Sequence, residues 1–298
     1  MKSSILSLAA LAAVGSASPI VQRAAVNITD GIILNYALTL EHLEDTFYRE
    51  GLKKFTVQDF IAANFTEETY KRIQTISKDE STHVEFLTGA LKAAGIQATA
   101  ECTYDFGYKD VKGFMGTASV LEGVGASAYT GAAAKIMGKL YLTAAASILS
   151  VEARHSSYIR QVIKQAPFPS PFEVPLELNE VYTLAAPFIK SCPSSNPALP
   201  VKAFPSLTAS ALKGGAIEAG GNVMISTPGY TIQGDVYAAF ITVTGPVFTL
   251  VQKAPGGFLV TIPATGIVGQ SYLVLTSCNT TATDDTIVAG PALIEIVA

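Results

Sequence analysis

The sequence has little charge, and this scarcity excludes two classes of partner. Charged residues make up 15% of the 298 residues, and the formal net charge is −4. A mildly acidic, sparsely charged chain is a poor candidate for a nucleic-acid-binding protein. The sequence also lacks the polybasic segment expected of a protein that binds anionic membranes, and no uninterrupted apolar stretch is long enough to span a bilayer. We therefore predict neither a nucleic-acid partner nor a membrane span.

The N terminus has the pattern of a secretory signal peptide. Lys2 is followed by an apolar run from Ile5 to Val14 and then by small residues, and a run of this length is too short to cross a bilayer. We expect residues 1–18 to be the signal peptide and residues 19–29 to form a short N-terminal segment. The predicted location is therefore secreted, either extracellular or in the cell wall.

The rest of the chain changes character once, near residue 195. Before that point apolar residues recur every three to four positions, which is the period of amphipathic helices. After it come short runs rich in Thr, Val and Ile, bounded by Gly and Pro, which are typical of antiparallel strands. We predict an α+β protein of two domains: a helical domain at 30–192, a proline-rich linker at 193–205 and a small antiparallel β-sandwich-like domain at 206–298.

The helical domain is predicted to hold four long helices and one short one. Helices three and four are joined by a few residues around Gly138, so they must be antiparallel neighbours. The sixteen residues between helices two and three reach roughly 50 Å when extended, enough to run back along helices about 36 Å long. The pattern favours a ferritin-like four-helix bundle, up-down with one long crossover. The predicted helices cover about 30–51, 66–95, 111–136, 140–165 and 177–186.

The cysteines and glycosylation sequons fit the predicted secretion. An oxidising compartment allows three cysteines to form one disulfide and leave one thiol. We predict a bond between Cys102 and Cys192 because both flank the helical domain, whereas Cys278 lies in the β-rich part. Their spacing fits no zinc motif. Three N-x-[ST] sequons are predicted glycosylation sites, at Asn27, Asn64 and Asn279.

Two of the three histidines lie in the same local pattern. His83 follows Glu80 by three residues and His155 follows Glu152 by three, so in a helix each pair projects from one face. A solvated ion pair would explain one such motif. Burying a carboxylate costs several kcal/mol unless it is paired or coordinates a metal. The repetition therefore favours a shared role for both pairs in the bundle core.

The helix before each of these motifs carries a glutamate followed seven residues later by a tyrosine. The pairs are Glu41–Tyr48 and Glu122–Tyr129, and seven residues is two helical turns, so each pair shares a face. The repeated order indicates an internal duplication of a helical hairpin. Glu44 is an alternative to Glu41 in the first helix, but the match with the second half favours Glu41.

These residues match a known arrangement of metal ligands. One glutamate from each of two helices and a Glu-x-x-His from each of the other two hold the metals of di-iron and di-manganese carboxylate bundles. Oxygen-rich, imidazole-poor ligation suits two iron or two manganese ions better than copper or a structural zinc. The catalytic residues, if any, stay unassigned. The predicted ligands are Glu41, Glu80, His83, Glu122, Glu152 and His155.

Three further residues could hold the metal ligands in position through hydrogen bonds without contacting the metal themselves. Tyr48 and Tyr129 could play this part or could be ordinary core tyrosines with a hydrogen-bonded tip. Asp79, just before the first motif, could hold a ligating histidine, whereas Val151 occupies the equivalent position in the other half. The third histidine, His42, points about 100° away from its ligand neighbour and is predicted to lie at the surface.

Several segments carry a resemblance to a known family. The segments "LNYALTLEHLEDTFYREGL", "DESTHVEFL", "SVLEGVGASAYTGAAA" and "SCPSSNPALPVKAFP" resemble the secreted ferritin-like proteins of filamentous fungi. Some members carry stress-response or late sexual-development names, and they are similar to plant desiccation-related proteins. The resemblance covers about residues 30–205. It implies the ferritin-like fold and a dinuclear site at the six predicted ligands, but no settled substrate.

Three functions compete at this point. The first is a redox enzyme that acts on peroxide or oxygen, as rubrerythrins and manganese catalases do, whose six-ligand sets resemble this one. The second is metal binding without turnover. The third is a structural or cell-wall-associated protein in which the bundle is a scaffold. The appended β domain departs from those enzymes and argues against assembly into a ferritin-like cage.

Overall fold

The computed structural model describes residues 28–212 and 214–297. The predicted signal peptide at 1–18, most of the predicted segment at 19–29 and the sequon at Asn27 lie outside these residues. The described chain consists of six α-helices followed by antiparallel and mixed sheets, which confirms the predicted α+β fold class. The helices are α1 (Asp30–Lys54), α2 (Val57–Ala62), α3 (Glu67–Ala93), α4 (Val111–Ala133), α5 (Lys139–Val162) and α6 (Leu178–Ala185).

Helices α1, α3, α4 and α5 form the bundle, with α1 packed on α3 and α4 packed on α5. Side chains cap three of them: Thr29 accepts from the first turn of α1, Thr66 from that of α3 and Asp110 from that of α4. Such caps satisfy backbone N–H groups that have no partner within the helix. The residues between α3 and α4 form the long crossover, so the two hairpins predicted from the repeat are present.

Two helix boundaries differ from the sequence prediction. The first helix does not stop at Gly51 but continues to Lys54. A Cβ atom at Gly51 would lie 2.1 Å from the ring of Phe114, so the glycine permits a close approach between α1 and α4 and does not end the helix. The short helix α2, which the sequence analysis missed, follows a capping box made by Thr56 and Asp59.

The C-terminal part is two packed sheets. The five-stranded sheet has the order β4-β11-β10-β6-β7 and the four-stranded sheet the order β3-β5-β9-β8. One edge departs from the predicted antiparallel pattern, because β4 pairs with β11 in parallel. The strands are β3 (Thr208–Ala211), β4 (Ile217–Glu218), β5 (Asn222–Ser226), β6 (Tyr237–Phe240), β7 (Val247–Thr249), β8 (Val251–Ala254), β9 (Gly257–Thr261), β10 (Gly269–Thr276) and β11 (Ile287–Val297).

The crossover is tied to the segment that follows α6. A two-stranded sheet joins β1 (Thr103–Tyr104) to β2 (Ile189–Ser191), and beside it Cys102 is disulfide-bonded to Cys192. Cys278 is a free, partly buried thiol in the β domain. The sequons at Asn64 and Asn279 are both exposed, and glycosylation at them stays a prediction.

The β domain packs directly on the bundle helices that carry half of the predicted ligands. The guanidinium of Arg160 on α5, which is almost fully buried, donates to both carboxylate oxygens of Glu295 on β11 at 2.9 and 2.6 Å. The Tyr272 hydroxyl on β10 donates to the Gly123 carbonyl on α4 at 3.1 Å. These contacts fix α4 and α5 against the sheet. None of the described helices is long and apolar enough to cross a membrane.

The segment predicted as a linker, 193–205, contains no helix or strand. It is nevertheless held on α6, because the backbone N–H of Lys202 donates to the Asn179 side chain at 2.7 Å and that of Phe204 donates to the Thr183 hydroxyl at 2.9 Å. The helical part and the β domain are therefore connected by a segment that is hydrogen-bonded to α6.

Candidate metal centre

The four helices of the bundle bring all six predicted ligands together in its core. Each of the four glutamates is 0% exposed, and the two histidines are 9% and 7% exposed. Helix α1 supplies Glu41 and α4 supplies Glu122. Each of α3 and α5 supplies a Glu-x-x-His pair, because a three-residue spacing places both side chains on the inward face.

The ligand atoms fall into two overlapping groups. The imidazole Nδ1 of His83 lies 3.1 Å from a Glu80 oxygen, 3.3 Å from Glu41 and 3.4 Å from Glu152. In each group the candidate atoms all lie within 4.8 Å of one another. This first group can hold one metal ion with three carboxylates and one imidazole.

The second group is built in the same way around the other histidine. The Nδ1 atom of His155 lies 2.9 Å from Glu80 and 3.3 Å from Glu122, and Glu152 completes the set. Glu80 and Glu152 therefore belong to both groups, and each could bridge two metal ions. Glu41 and Glu122 belong to one group each.

Most of the inward atoms lack a hydrogen-bond partner among the described residues, although all are buried. His83 Nδ1 makes a hydrogen bond with Glu80 Oε2 at 3.1 Å, but the other close approaches between histidine and carboxylate atoms in the two groups do not have hydrogen-bond geometry. Buried polar atoms without partners are rare in folded proteins and cost about 1–3 kcal/mol each. A bound cation would satisfy all of them at once. The atoms are Glu41 Oε2, Glu80 Oε1, Glu122 Oε2, both Glu152 oxygens and His155 Nδ1.

The electrostatics of the site also favour cations. Burial raises the pKa of Glu80 to about 7, and burial together with the charge of Glu80 raises the pKa of Glu152 well above its usual range. Burial lowers the pKa of His155, but Glu122 and Glu80 raise it more, to about 11. Without metal the cluster must hold protons. Two divalent ions would balance the four ligand carboxylates and take the place of those protons.

The two tyrosines hold the carboxylates of the opposite half. The Tyr48 hydroxyl donates a hydrogen bond to Glu122, and the Tyr129 hydroxyl donates one to Glu41. This reciprocal pairing is what a two-fold repeat of hairpins produces. Each bond fixes one oxygen of a carboxylate, and the other oxygen lies next to the histidine of its ligand group.

Removing either tyrosine hydroxyl is expected to loosen one end of the site. In Tyr48→Phe or Tyr129→Phe protein, a buried carboxylate oxygen loses its donor, which should lower the free energy of unfolding by about 1–3 kcal/mol and metal affinity by about tenfold. Thermal unfolding and competition with a chelator measure the two effects. Tyr230→Phe is the control, since that hydroxyl donates to a backbone carbonyl in the β domain. Equal effects in all three variants would contradict a role in the site.

Asp79 supports a histidine, but only one of the two. Its carboxylate oxygen lies 3.2 Å from Nε2 of His155, the histidine of the opposite half, which leaves Nδ1 for the metal. The equivalent position opposite His83 is held by Val151, which offers no acceptor. The support that the sequence indicated is therefore one-sided.

Of two residues near the site, Glu44 and His42, only His42 differs from its sequence-based interpretation. Both Glu41 and its alternative Glu44 are buried, but only Glu41 belongs to a ligand group. Glu44 lies beside Glu152, and burial followed by that charge raises its pKa well above the usual range. His42 is half-buried, with Nε2 3.2 Å from the Thr99 carbonyl of the crossover, so the prediction of a surface histidine is wrong.

An open, polar mouth connects the histidine side of the site with solvent. It has a volume of about 290 Å³ and lies between α3 and α5. The exposed Arg154 contributes to it, and no pattern in the sequence marked that residue. The mouth is lined by Asp79, Thr82, His83, Val151, Arg154 and His155.

Comparisons with known proteins agree with the fold of the helical part. The family described as ferritin-like domain matches residues 29–165. The chain is similar to protein rds1 of Schizosaccharomyces pombe, with 30% identity over 178 residues, which are 58% of this chain and 42% of that protein. The chain thus spans less than half the length of this curated relative. Residues 29–165, which form the bundle and carry all six predicted ligands, are thus a ferritin-like domain.

Proposed function

We propose that this protein binds two iron or two manganese ions at the six ligands and uses them in an oxidation or reduction of peroxide or dioxygen outside the cell. The observation that carries the proposal is the set of buried ligand atoms without hydrogen-bond partners, which face one another from four helices. Burying four carboxylates together without a cation would destabilise the folded bundle.

The residues fit a pair of such ions. Glu41, Glu80, His83 and Glu152 would hold one, and the set in which Glu122 and His155 replace Glu41 and His83 would hold the other. Three carboxylates and one imidazole for each ion suit iron or manganese. When bound, such a pair supplies the electrons, or accepts them, that a small oxygen compound needs in order to react.

The chain's own residues would control access and charge around that chemistry. The mouth between α3 and α5 is polar and large enough for water or peroxide. Arg154 and Asp79 place both signs of charge at its rim. The hydroxyls of Tyr48 and Tyr129 hold the two unshared carboxylates in place.

Metal analysis tests the proposal. Protein from its native secretion route is expected to carry about two equivalents of iron or manganese by mass spectrometry, and His83→Ala and His155→Ala proteins are expected to lose this content. His42→Ala is the control, because His42 belongs to neither ligand group. Folded wild-type protein that takes up no metal under metal-replete conditions would overturn the proposal. Metal-loaded protein should then consume peroxide or dioxygen faster than His83→Ala protein.

A second candidate is a structural, cell-wall-associated protein whose metals are inert or absent. The observation that favours it is the close attachment of the β domain to the bundle, through Arg160 and Glu295. The β domain contains no histidine, and this attachment makes it a rigid surface. Metal that is retained but reacts with neither peroxide nor dioxygen, together with retention of the protein in extracted cell wall, would favour this function.

Secretion and glycosylation are part of the same proposal. We expect the mature protein to begin just after residue 18 and to lose mass on enzymatic deglycosylation. Terminal sequencing and intact-mass measurement of protein from the culture medium check both points, with Asn27→Gln, Asn64→Gln and Asn279→Gln proteins identifying the modified sites.

A further inference from the structure

We propose that the protein has a second binding site, an apolar cavity beside the metal centre that takes a small apolar organic molecule and places it next to Glu152. The cavity lies between α1 and α4, whereas the polar mouth lies between α3 and α5. The closeness of this site to bound metal ions rests on the proposed function, whereas the binding site itself does not.

The cavity has a volume of about 250 Å³ and an almost wholly aliphatic wall. Protein interiors are close-packed and rarely leave a void larger than a water molecule, whose share of liquid volume is about 30 Å³. Water gains little in such a space, because it needs polar partners, and dry apolar cavities of about 150 Å³ bind molecules such as benzene. The wall contains Leu40, Leu43, Val120, Leu121, Val124 and Leu184, with Glu44 as its one ionisable residue.

Gly125 opens this cavity towards the metal centre. It lines the cavity, and a Cβ atom built on it would lie 2.8 Å from Oε2 of Glu152 and 3.0 Å from Oε1 of Glu44. Any other residue would therefore fill the space in front of these two carboxylates. Because Glu152 belongs to both ligand groups, a molecule in the cavity would lie next to a carboxylate shared by both metal positions.

The two halves of the repeat differ at this opening. Gly125 follows Glu122 by three residues, and Glu44 follows Glu41 by three, so the two occupy equivalent positions in the two halves. The halves agree in their ligands and tyrosines and differ here. One half supplies a carboxyl that lines the cavity, and the other supplies no side chain at all.

The outer wall comes from elements that are not part of the four-helix bundle. Leu184 on α6, Phe188 just after it and Leu293 on β11 all line the cavity and are partly buried. The β domain and α6 thus cover an apolar gap between α1 and α4 that would otherwise be exposed. This gives the appended domain a part in forming the site, and the size and aliphatic wall select an uncharged organic molecule.

Xenon binding tests the cavity without any need for activity. Metal-free wild-type protein is expected to shift the xenon-129 resonance saturably, and 1-hexanol is expected to compete. Leu184→Phe protein should bind xenon about tenfold more weakly, because the added ring fills the volume. Leu142→Phe is the matched control, since Leu142 packs partly buried against the same hydrophobic cluster as Leu184 but does not line the cavity.

Comparison of the two variants tests whether xenon binds in this cavity. Absence of a saturable shift in wild-type protein, or equal xenon affinity in Leu184→Phe and Leu142→Phe proteins, would overturn the binding site. Xenon binding without competition from 1-hexanol would overturn its assignment to an organic molecule. Circular dichroism on both variants identifies a loss of folding, in which case Leu293→Phe replaces Leu184→Phe.

The connection with the metal centre has its own readout. In manganese-loaded protein, bound xenon is expected to relax faster than in metal-free protein, because the paramagnetic ions lie close to the cavity. Unchanged relaxation in protein shown by mass spectrometry to hold manganese would overturn the connection. Protein that holds no manganese would contradict the proposed function instead, and the xenon titration would still decide whether the cavity binds.

Discussion

Glu152→Gln protein is expected to bind neither metal ion, whereas Glu122→Gln protein is expected to keep one. Glu152 belongs to both ligand groups, and Glu122 belongs only to the group around His155. Loss of a shared carboxylate removes negative charge and a ligand atom from both positions. The amide oxygen of glutamine is a weaker, uncharged ligand, so each affected position should lose most of its affinity. Glu80→Gln should behave as Glu152→Gln does, and Glu41→Gln as Glu122→Gln does.

The stability of the metal-free proteins separates loss of a ligand from damage to the fold. Burial and the charge of Glu80 raise the pKa of Glu152 well above its usual range, so ionising Glu152 in the folded, metal-free protein is unfavourable. Replacing it with neutral glutamine is therefore expected to leave the metal-free protein as stable as wild type, or to stabilise it by about 1 kcal/mol or more. In excess metal the order should reverse, because only wild type gains the binding free energy of both ions.

Metal content and thermal unfolding, each with and without metal, measure these effects. Glu85→Gln is the control, since Glu85 is an exposed glutamate on the same helix as Glu80 and should leave both measurements unchanged. One ion retained in Glu152→Gln protein would contradict the sharing of Glu152. A Glu152→Gln protein that is destabilised without metal would indicate that the carboxylate serves the fold.

The clustering of the six candidate ligands could be predicted from the sequence because their spacing is a local property of helices. Residues three apart in α3 and α5 share a face whatever the helices pack against, and repetition in two hairpins distinguished the pattern of Glu80–His83 from a solvated ion pair. The choice of Glu41 over Glu44 also followed from that repetition. Both residues proved to be buried, so burial alone would not have separated them.

The contacts between halves could not be predicted in the same way. Tyr48 reaches Glu122, and Asp79 reaches His155, across the bundle, and such pairs depend on the rotation and height of whole helices. The continuation of α1 through Gly51 depends on the ring of Phe114, which is distant in sequence. The packing of the β domain on α4 likewise depends on surfaces whose partners only the folded chain shows.

The two metal positions are expected to differ in affinity, because only one of the two histidines has a carboxylate hydrogen-bonded to the ring nitrogen that faces away from the metal position. Asp79 lies 3.2 Å from Nε2 of His155, whereas Val151 holds the equivalent place for His83. A carboxylate that accepts from a ligating imidazole fixes its orientation and raises its basicity, and losing such a partner costs about 10–100-fold in affinity. We therefore expect stepwise binding of two ions, with the position around His155 filled first.

A single substitution at either of these two positions should make the affinities of the two metal positions nearly equal. Asp79→Val protein should bind both ions with nearly the weaker affinity, and Val151→Asp protein should bind both with nearly the stronger one, a gain of about tenfold or more at the position around His83. Isothermal titration with manganese at fixed pH gives both steps, and combining each variant with His83→Ala or His155→Ala assigns them. If Asp79→Val weakened the position around His83 instead, Asp79 would be acting through the charge of the mouth, which both histidines share, and no longer through its bond to His155.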